Sequence, residues 1–215
     1  MKGRCYRVYL LRHGRSLGNA NGFLQGQQDF PLTEEGRKQA RVLAERWQAG
    51  GVHLDLILTS PLSRVRDTAE IIAARLDVPI EVDELLLERD VGSLSGEPVN
   101  RHEELVSHRP FTTPYQSFSG DGEGDWQLFL RAGQVLSNLL QRKPGSYLLV
   151  SHGGLLNQLT HAIFGIIPQA NRQGVRFKLD NASFSQFDYY PDEHVWDVVT
   201  VNNHDHLSQD DINEK

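Results

Sequence analysis

The chain has 215 residues, and its 22 Lys and Arg stand against 28 Asp and Glu, a net charge of −6. That length suits one α/β domain with a core large enough to need no disulfide or metal staple. The acidic balance argues against a general nucleic-acid binder, and no apolar run reaches the roughly 18–20 residues of a membrane span.

The single cysteine, Cys5, is expected inside the first predicted strand, allows no intrachain disulfide and leans towards a reducing, cytoplasmic setting. The N-terminus lacks the apolar core of a signal peptide, so none is expected. An apolar run, Tyr6 to Leu11, reads as a buried strand that ends abruptly in Arg12, His13 and Gly14. Charge is costly to bury without a partner, which places this strand end at a rim or cleft. In open α/β sheets ligands sit there, beyond the carboxyl ends of the strands. Fraying into a polar turn is the bland alternative, and this stretch alone does not exclude it.

A polar, glycine-bearing segment runs from Gly18 to Phe30. Thr33 then reads as an N-cap with Glu34 and Glu35 in the first turn. Ala40, Leu43, Ala44 and Trp47 follow helical spacing, and Gly50-Gly51 ends that helix. Leu54 to Leu58 is a second strand. Ser60 as N-cap and Pro61 as first helical residue would open the next helix, which runs through Val65, Ala69, Ile72, Ala73 and Leu76. Val78 to Val82 is a short strand, put at an edge by Pro79. This alternation predicts an α/β fold, a three-layer α/β/α sandwich around a mostly parallel sheet.

Leu85 to Gly124 is irregular and reads as an inserted lid, with a helix near Asn100 to Ser107. Asp125 to Arg142 is an amphipathic helix carrying Trp126, Phe129, Leu130, Leu136 and Leu140, with Trp126 and Phe129 expected in the core. Tyr147 to Val150 is another buried strand, ending in Ser151-His152-Gly153-Gly154 before a helix from Leu155 to Phe164. Ala182–Tyr189 and His194–Val201 alternate around Pro191-Asp192 as a closing hairpin. The polar tail from about Asn202 is expected to fray. The chain is expected to be one domain over 1–215, with 85–124 as cap and 202–215 as tail.

Two strands therefore end alike, in histidine followed by glycine, and a third ends in Thr59-Ser60 with Arg64 one turn on. If the three are parallel neighbours, His13, His152, Arg12 and Arg64 converge on one crevice. Helix N-termini and two guanidiniums suit an anion with several oxygens. Neighbouring cations keep an imidazole unprotonated, and a neutral histidine can attack phosphorus. Glu88, ahead of the glycine-punctuated Gly92–Gly96, is the candidate proton donor, with Asp90 as local competitor. Two histidines and an acid also suggest a metal, but arginines beside both histidines repel a cation and no third ligand stands out. No metal or other cofactor is expected. His102, His108, His204 and His206 read as solvated.

These residues resemble the histidine phosphatase superfamily, also called phosphoglycerate mutase-like. Leu11-Arg12-His13-Gly14, Asn19, Gln25-Gly26, Asp29, Pro31-Leu32-Thr33, Gly36 and Gln39-Ala40 follow its first motif and the segment after it. Ser60-Pro61-Leu62-Ser63-Arg64 with Thr68-Ala69, Glu88 with Gly92 and Gly96, and Ser151-His152-Gly153-Gly154 follow the rest. The resemblance implies a phosphatase that hydrolyses phosphomonoesters through a phosphohistidine on His13, with Glu88 as acid and Arg12, Arg64 and His152 in the phosphate pocket. Substrate contacts are expected from Asn19, Ser16, Gln25, Gly26, Arg89 and Gly153. Arg15 departs from the usual Glu or Gln and is an extra cation for the pocket mouth; Val65-Arg66 and Leu94-Ser95 also depart. A phosphoglycerate mutase is the alternative: Glu88-Arg89 looks mutase-like, whereas His108-Arg109-Pro110 offers one arginine where such mutases carry a pair. A non-catalytic phospho-ligand module is the third reading. The expected partner is a small phosphorylated substrate, without nucleic acid or membrane; a homodimer stays open.

Overall fold

A computed structural model describes residues 4–100, 112–117 and 119–208. Its strands are β1 (Tyr6–Arg12), β2 (Leu56–Thr59), β3 (Ile80–Val82), β4 (Ser146–Ser151), β5 (Phe184–Tyr190) and β6 (Val195–Asn203). They form one sheet in the order β3-β2-β4-β1-β5-β6. The first four are parallel, and β5–β6 is an antiparallel ribbon laid beside β1. Helices α2 (Glu34–Ala49) and α3 (Ser63–Leu76) cover one face; α4 (Asp125–Leu140) and α5 (Gly153–Phe164) cover the other. The expected three-layer sandwich is what forms.

The reason lies in the strand residues. Successive side chains point to opposite faces. In β1, Val8 and Leu10 enter the core under α4 and α5, while Tyr9 and Leu11 enter the core under α2 and α3. With both faces covered, the strand reads as one apolar run. Pro79 precedes β3 at the sheet edge, and its carbonyl accepts from Ile57 N at 3.0 Å.

Several local expectations need correction. Cys5 lies just before β1. Helix α3 begins at Ser63, and its cap position is Leu62 with no side-chain cap. Ser60 is freed for another partner, described below. The buried stripe of α4 is Leu128, Ala132, Val135, Leu136 and Leu139; Leu130 is 58% exposed. Trp126 and Phe129 are half-buried and stack with each other, and Trp126 with Tyr115, outside the core. The tail does not fray at Asn202. That residue lies within β6 and binds Asp180 twice, accepting from its backbone N and donating to its carboxylate, each at 2.8 Å. His206 is largely buried, and burial, then Arg46, pulls its pKa down to about 4. The helix expected near Asn100 to Ser107 falls, beyond Asn100, outside the described residues, as do His102, His108 and Arg109.

Gly14 and Gly36 let the loop after β1 pass against the start of α2. A Cβ on Gly14 would overlap the Gly36 carbonyl, and one on Gly36 the Arg15 carbonyl. Both clashes are with backbone, which cannot rotate away. Gly36→Ala is expected to cost about 1–3 kcal/mol and to lower the melting temperature by about 3–10 °C. An unchanged thermal melt would show that the loop has room to shift.

Candidate active site

Parallel pairing of β1 with β4 and of β4 with β2 brings the three strand ends together: Arg12 lies opposite Ser151, and Thr59 opposite Val150. His13 and His152 follow directly, their ring centroids 5.3 Å apart and edge-on. Ser60, beyond β2, meets His152 Nε2 through its hydroxyl at 3.1 Å. Arg64 reaches in from the first turn of α3, as the spacing required. Thr68, one turn on, accepts from Gly14 N at 3.1 Å and ties α3 to the histidine loop.

Hydrogen bonds fix the chemistry of these groups. His13 Nδ1 is 2.7 Å from the Gly14 carbonyl. A carbonyl only accepts, so Nδ1 carries the proton and Nε2 keeps its lone pair. Arg64 donates to the carbonyls of Gly26 and Gln28, both at 2.9 Å, and Arg12 to that of Leu179 at 2.6 Å. Nε of both arginines and Nδ1 of His152 are buried and find no partner among the described residues. Buried polar groups are rarely left so. Among the described residues neither arginine makes an ion pair, so two cations, Arg64 buried and Arg12 half-buried, face one crevice. That is a cradle for an oxyanion.

Burial, then Arg12 and Arg64, hold the His13 pKa well below the imidazole value of 6.5. Burial, then Arg64, His13 and Arg12, do the same to His152. Burial also lowers both arginines, Arg64 to about 10. The consequence for stability has a definite sign. Below pH 6.5 the unfolded chain protonates these histidines and the folded chain does not, so the unfolded state binds more protons. Stability is therefore undiminished above about 6.5 and falls as pH drops below it, by up to about 1.4 kcal/mol per pH unit for each histidine. Thermal melts from pH 7.5 to 5 are expected to slide downward, with a smaller slope for His152→Asn; a flat profile would contradict the buried neutral pair.

Glu88 sits against the N-terminus of α5. Its carboxylate accepts from the backbone N–H of Gly154 (3.1 Å), Leu155 (3.2 Å) and Arg89 (2.7 Å). Arg131 of α4 steadies the loop beneath it, donating to the carbonyls of Leu85, Leu87 and Glu88 at 2.9, 2.6 and 3.1 Å and pairing with Glu123 at 2.6 Å. Asp90 instead accepts from Gly92 N at 2.8 Å and does not line the cavity.

Arg12, His13, Arg64 and Glu88 open on one cavity of about 710 Å³. Asn19, Gln25, Gly26, Arg89 and Gly153 line it too. Arg89 is paired with Asp125 at 2.5 Å. His152 is fully buried against His13 and is not part of the wall. Ser16 is also fully buried; it caps α1 (Leu17–Ala20), and its hydroxyl lies 2.8 Å from both Asn19 Oδ1 and Gln25 Oε1. It shapes the loop and does not face the cavity. Arg15 pairs with Glu35 at 3.2 Å, away from the mouth.

Sequence reasoning missed three contributors. Arg131 is a lone arginine on a mostly apolar helix. Asn181 donates to the His13 carbonyl at 3.1 Å and to Asn19 Oδ1 at 3.2 Å; a tight turn, with Ala182 at φ 55°, puts it there. Residues 166–169 and 173–180 line one part of the cavity and carry no periodicity that marks them.

A family profile described as the histidine phosphatase superfamily, branch 1, matches residues 8–204. The chain belongs to that superfamily. This histidine phosphatase superfamily enzyme is 36% identical to the probable phosphoglycerate mutase GpmB of Cronobacter sakazakii, over 97% of this chain and 98% of that one. Among solved structures, Bacillus stearothermophilus YhfR superposes with a TM-score of 0.79 at 26% identity, covering 94% of this chain and 100% of its own. A mycobacterial glucosyl-3-phosphoglycerate phosphatase gives 0.75 at 25%, covering 93% and 99%. The superfamily member is thus of the mutase or phosphatase kind. Among the described residues no helix is long and apolar enough to cross a membrane.

Proposed function

We propose that this enzyme is a phosphomonoesterase acting through a phosphohistidine on His13. The observation that carries this reading is the tautomer. With Nδ1–H held by the Gly14 carbonyl, the Nε2 lone pair is the nucleophile, beside two guanidiniums whose N–H groups donate to the phosphoryl oxygens. Nε2 attacks phosphorus and the bond to the leaving oxygen breaks. That oxygen takes a proton from Glu88, which lines the same cavity. Water then attacks the phosphohistidine, Glu88 takes the water's proton, and inorganic phosphate leaves with His13 neutral again. Arg12 and Arg64, with the unpartnered Nδ1 of His152 behind them, stabilise charge on the equatorial oxygens, where positioning and electrostatics supply most of the rate. Asn19, Gln25, Gly26 and Gly153 complete the wall.

The name of the Cronobacter relative favours a second reading, transfer of the phosphoryl group to a second substrate hydroxyl. The Arg89–Asp125 pair speaks for hydrolysis, because it occupies the cation that would greet a second acid group. One experiment separates the two: the enzyme with 3-phosphoglycerate or a simple phosphate ester, with and without a bisphosphoglycerate primer. Release of inorganic phosphate from esters is expected. Primer-dependent interconversion of phosphoglycerates without phosphate release would make it a mutase.

A further inference from the structure

The cavity is far larger than its phosphate end. About 710 Å³ is the size of a site for a drug-sized ligand, and a three-carbon acid fills a small part of it. Beyond Arg12, His13 and Glu88 the lining carries a set of apolar side chains, Phe23, Val99, Ile167, Val175 and Phe177, among uncharged polar ones such as Gln169 and Gln173. Ile167 and Val175 are 53% and 55% exposed, apolar surface that burial against a ligand would take from water.

The wall at Val175 and Phe177 is built and not draped. Asn157 of α5 grips the Phe177 backbone at both ends, its amide donating to the carbonyl at 2.5 Å and accepting from the N–H at 3.1 Å. His161, one turn on, meets the Val175 carbonyl at 2.7 Å, and the Phe177 ring packs on those of His161 and Phe164 at 5.6 and 5.2 Å. The charges near this wall are largely spent on each other, Arg89 on Asp125 at 2.5 Å and Lys178 on Asp180 at 3.3 Å. Arg176 stands exposed on the rim, where water screens it.

Taking the hydrolase reading as its basis, we propose that the substrate is a phosphomonoester of a bulky, largely apolar, uncharged alcohol. Its phosphoryl group lies against Arg12, His13 and Arg64, and its carbon skeleton along the wall of residues 166–177. The walls, not the phosphate cradle, then set selectivity, and a carboxylate on the alcohol gains nothing from them.

Non-hydrolysable ligands test the subsite apart from turnover. Calorimetry with hexylphosphonate and ethylphosphonate is expected to show the longer chain bound tighter by on the order of 100-fold, since each buried methylene is worth about fourfold. Val175→Asp is expected to shrink that gap to under about tenfold. Rates on hexyl and ethyl phosphate, alcohols of similar leaving ability, are expected to follow in kcat/KM and to exceed that on 3-phosphoglycerate. Tight hexylphosphonate binding without phosphate release from hexyl phosphate would keep the apolar subsite and sink the hydrolase reading. Phosphate release with no preference for chain length, or with 3-phosphoglycerate preferred, would keep the hydrolase and overturn the apolar subsite.

Discussion

His13→Ala is expected to remove phosphoenzyme formation and to lower kcat by roughly 10⁴-fold or more, with circular dichroism unchanged. The geometry makes the prediction specific to one of two adjacent rings. His13 reaches the cavity with a free Nε2, whereas His152 is buried behind it and spends its Nε2 on Ser60 at 3.1 Å. His152→Ala should therefore behave as the loss of one charge-stabilising donor, about 10²–10³-fold in kcat, while still forming a trappable phosphoenzyme. Acid quench after mixing with labelled substrate reads the difference. A phosphoenzyme surviving in His13→Ala and absent in His152→Ala would reverse the assignment.

Removing the acid at Glu88 should have the second largest effect. Glu88→Gln is expected to slow turnover of alkyl esters by about 10²–10⁴-fold, and the loss should depend on the leaving group. An alkoxide needs the proton as the bond breaks; 4-nitrophenolate leaves without it. Phosphorylation by 4-nitrophenyl phosphate should then fall much less than turnover of an alkyl phosphate, and a burst of nitrophenol should precede a slow steady state, because water attack still lacks its base. Asp90→Asn, whose carboxylate accepts from the Gly92 amide at 2.8 Å and does not line the cavity, should stay within a few-fold of the parent. Equal losses on both leaving groups would deny Glu88 its role as acid.

Both predictions rest on residues that could be picked out before the fold was known, and the reason is local. Arg12 and His13 end an apolar run, and such a run with charge at its end is a buried strand meeting a cleft. His152 repeats the pattern, and Arg64 follows a strand by one turn. These signals lie within a few residues, where period and punctuation are legible. Glu88 was harder. Its loop carries no period, and Asp90 differs from it only in which backbone amides it meets. Ser16 and Arg15 show the opposite failing: adjacent to the motif, they face other ways, one capping α1 and the other paired with Glu35.

The boundary between the two sources of information falls at side-chain direction and long-range closure. Apolar periodicity, glycine punctuation and the two histidine-bearing strand ends determined by themselves the layered α/β fold and singled out Arg12, His13, Arg64 and His152, because each signal depends on contacts within a strand or helix; their meeting at one crevice came from the pairing of β1, β4 and β2. Only the tertiary structure decided that Nδ1 of His13 is the protonated nitrogen, that α5 holds Glu88 by its N-terminal amides, and that Arg131 and Asn181 support them from 43 and 168 residues away. It also decided that residues 166–169 and 173–180, silent in sequence, line the cavity onto which Arg12, His13 and Arg64 open. Their apolar side chains acquire meaning only when Asn157 and His161 pin that segment across the cavity.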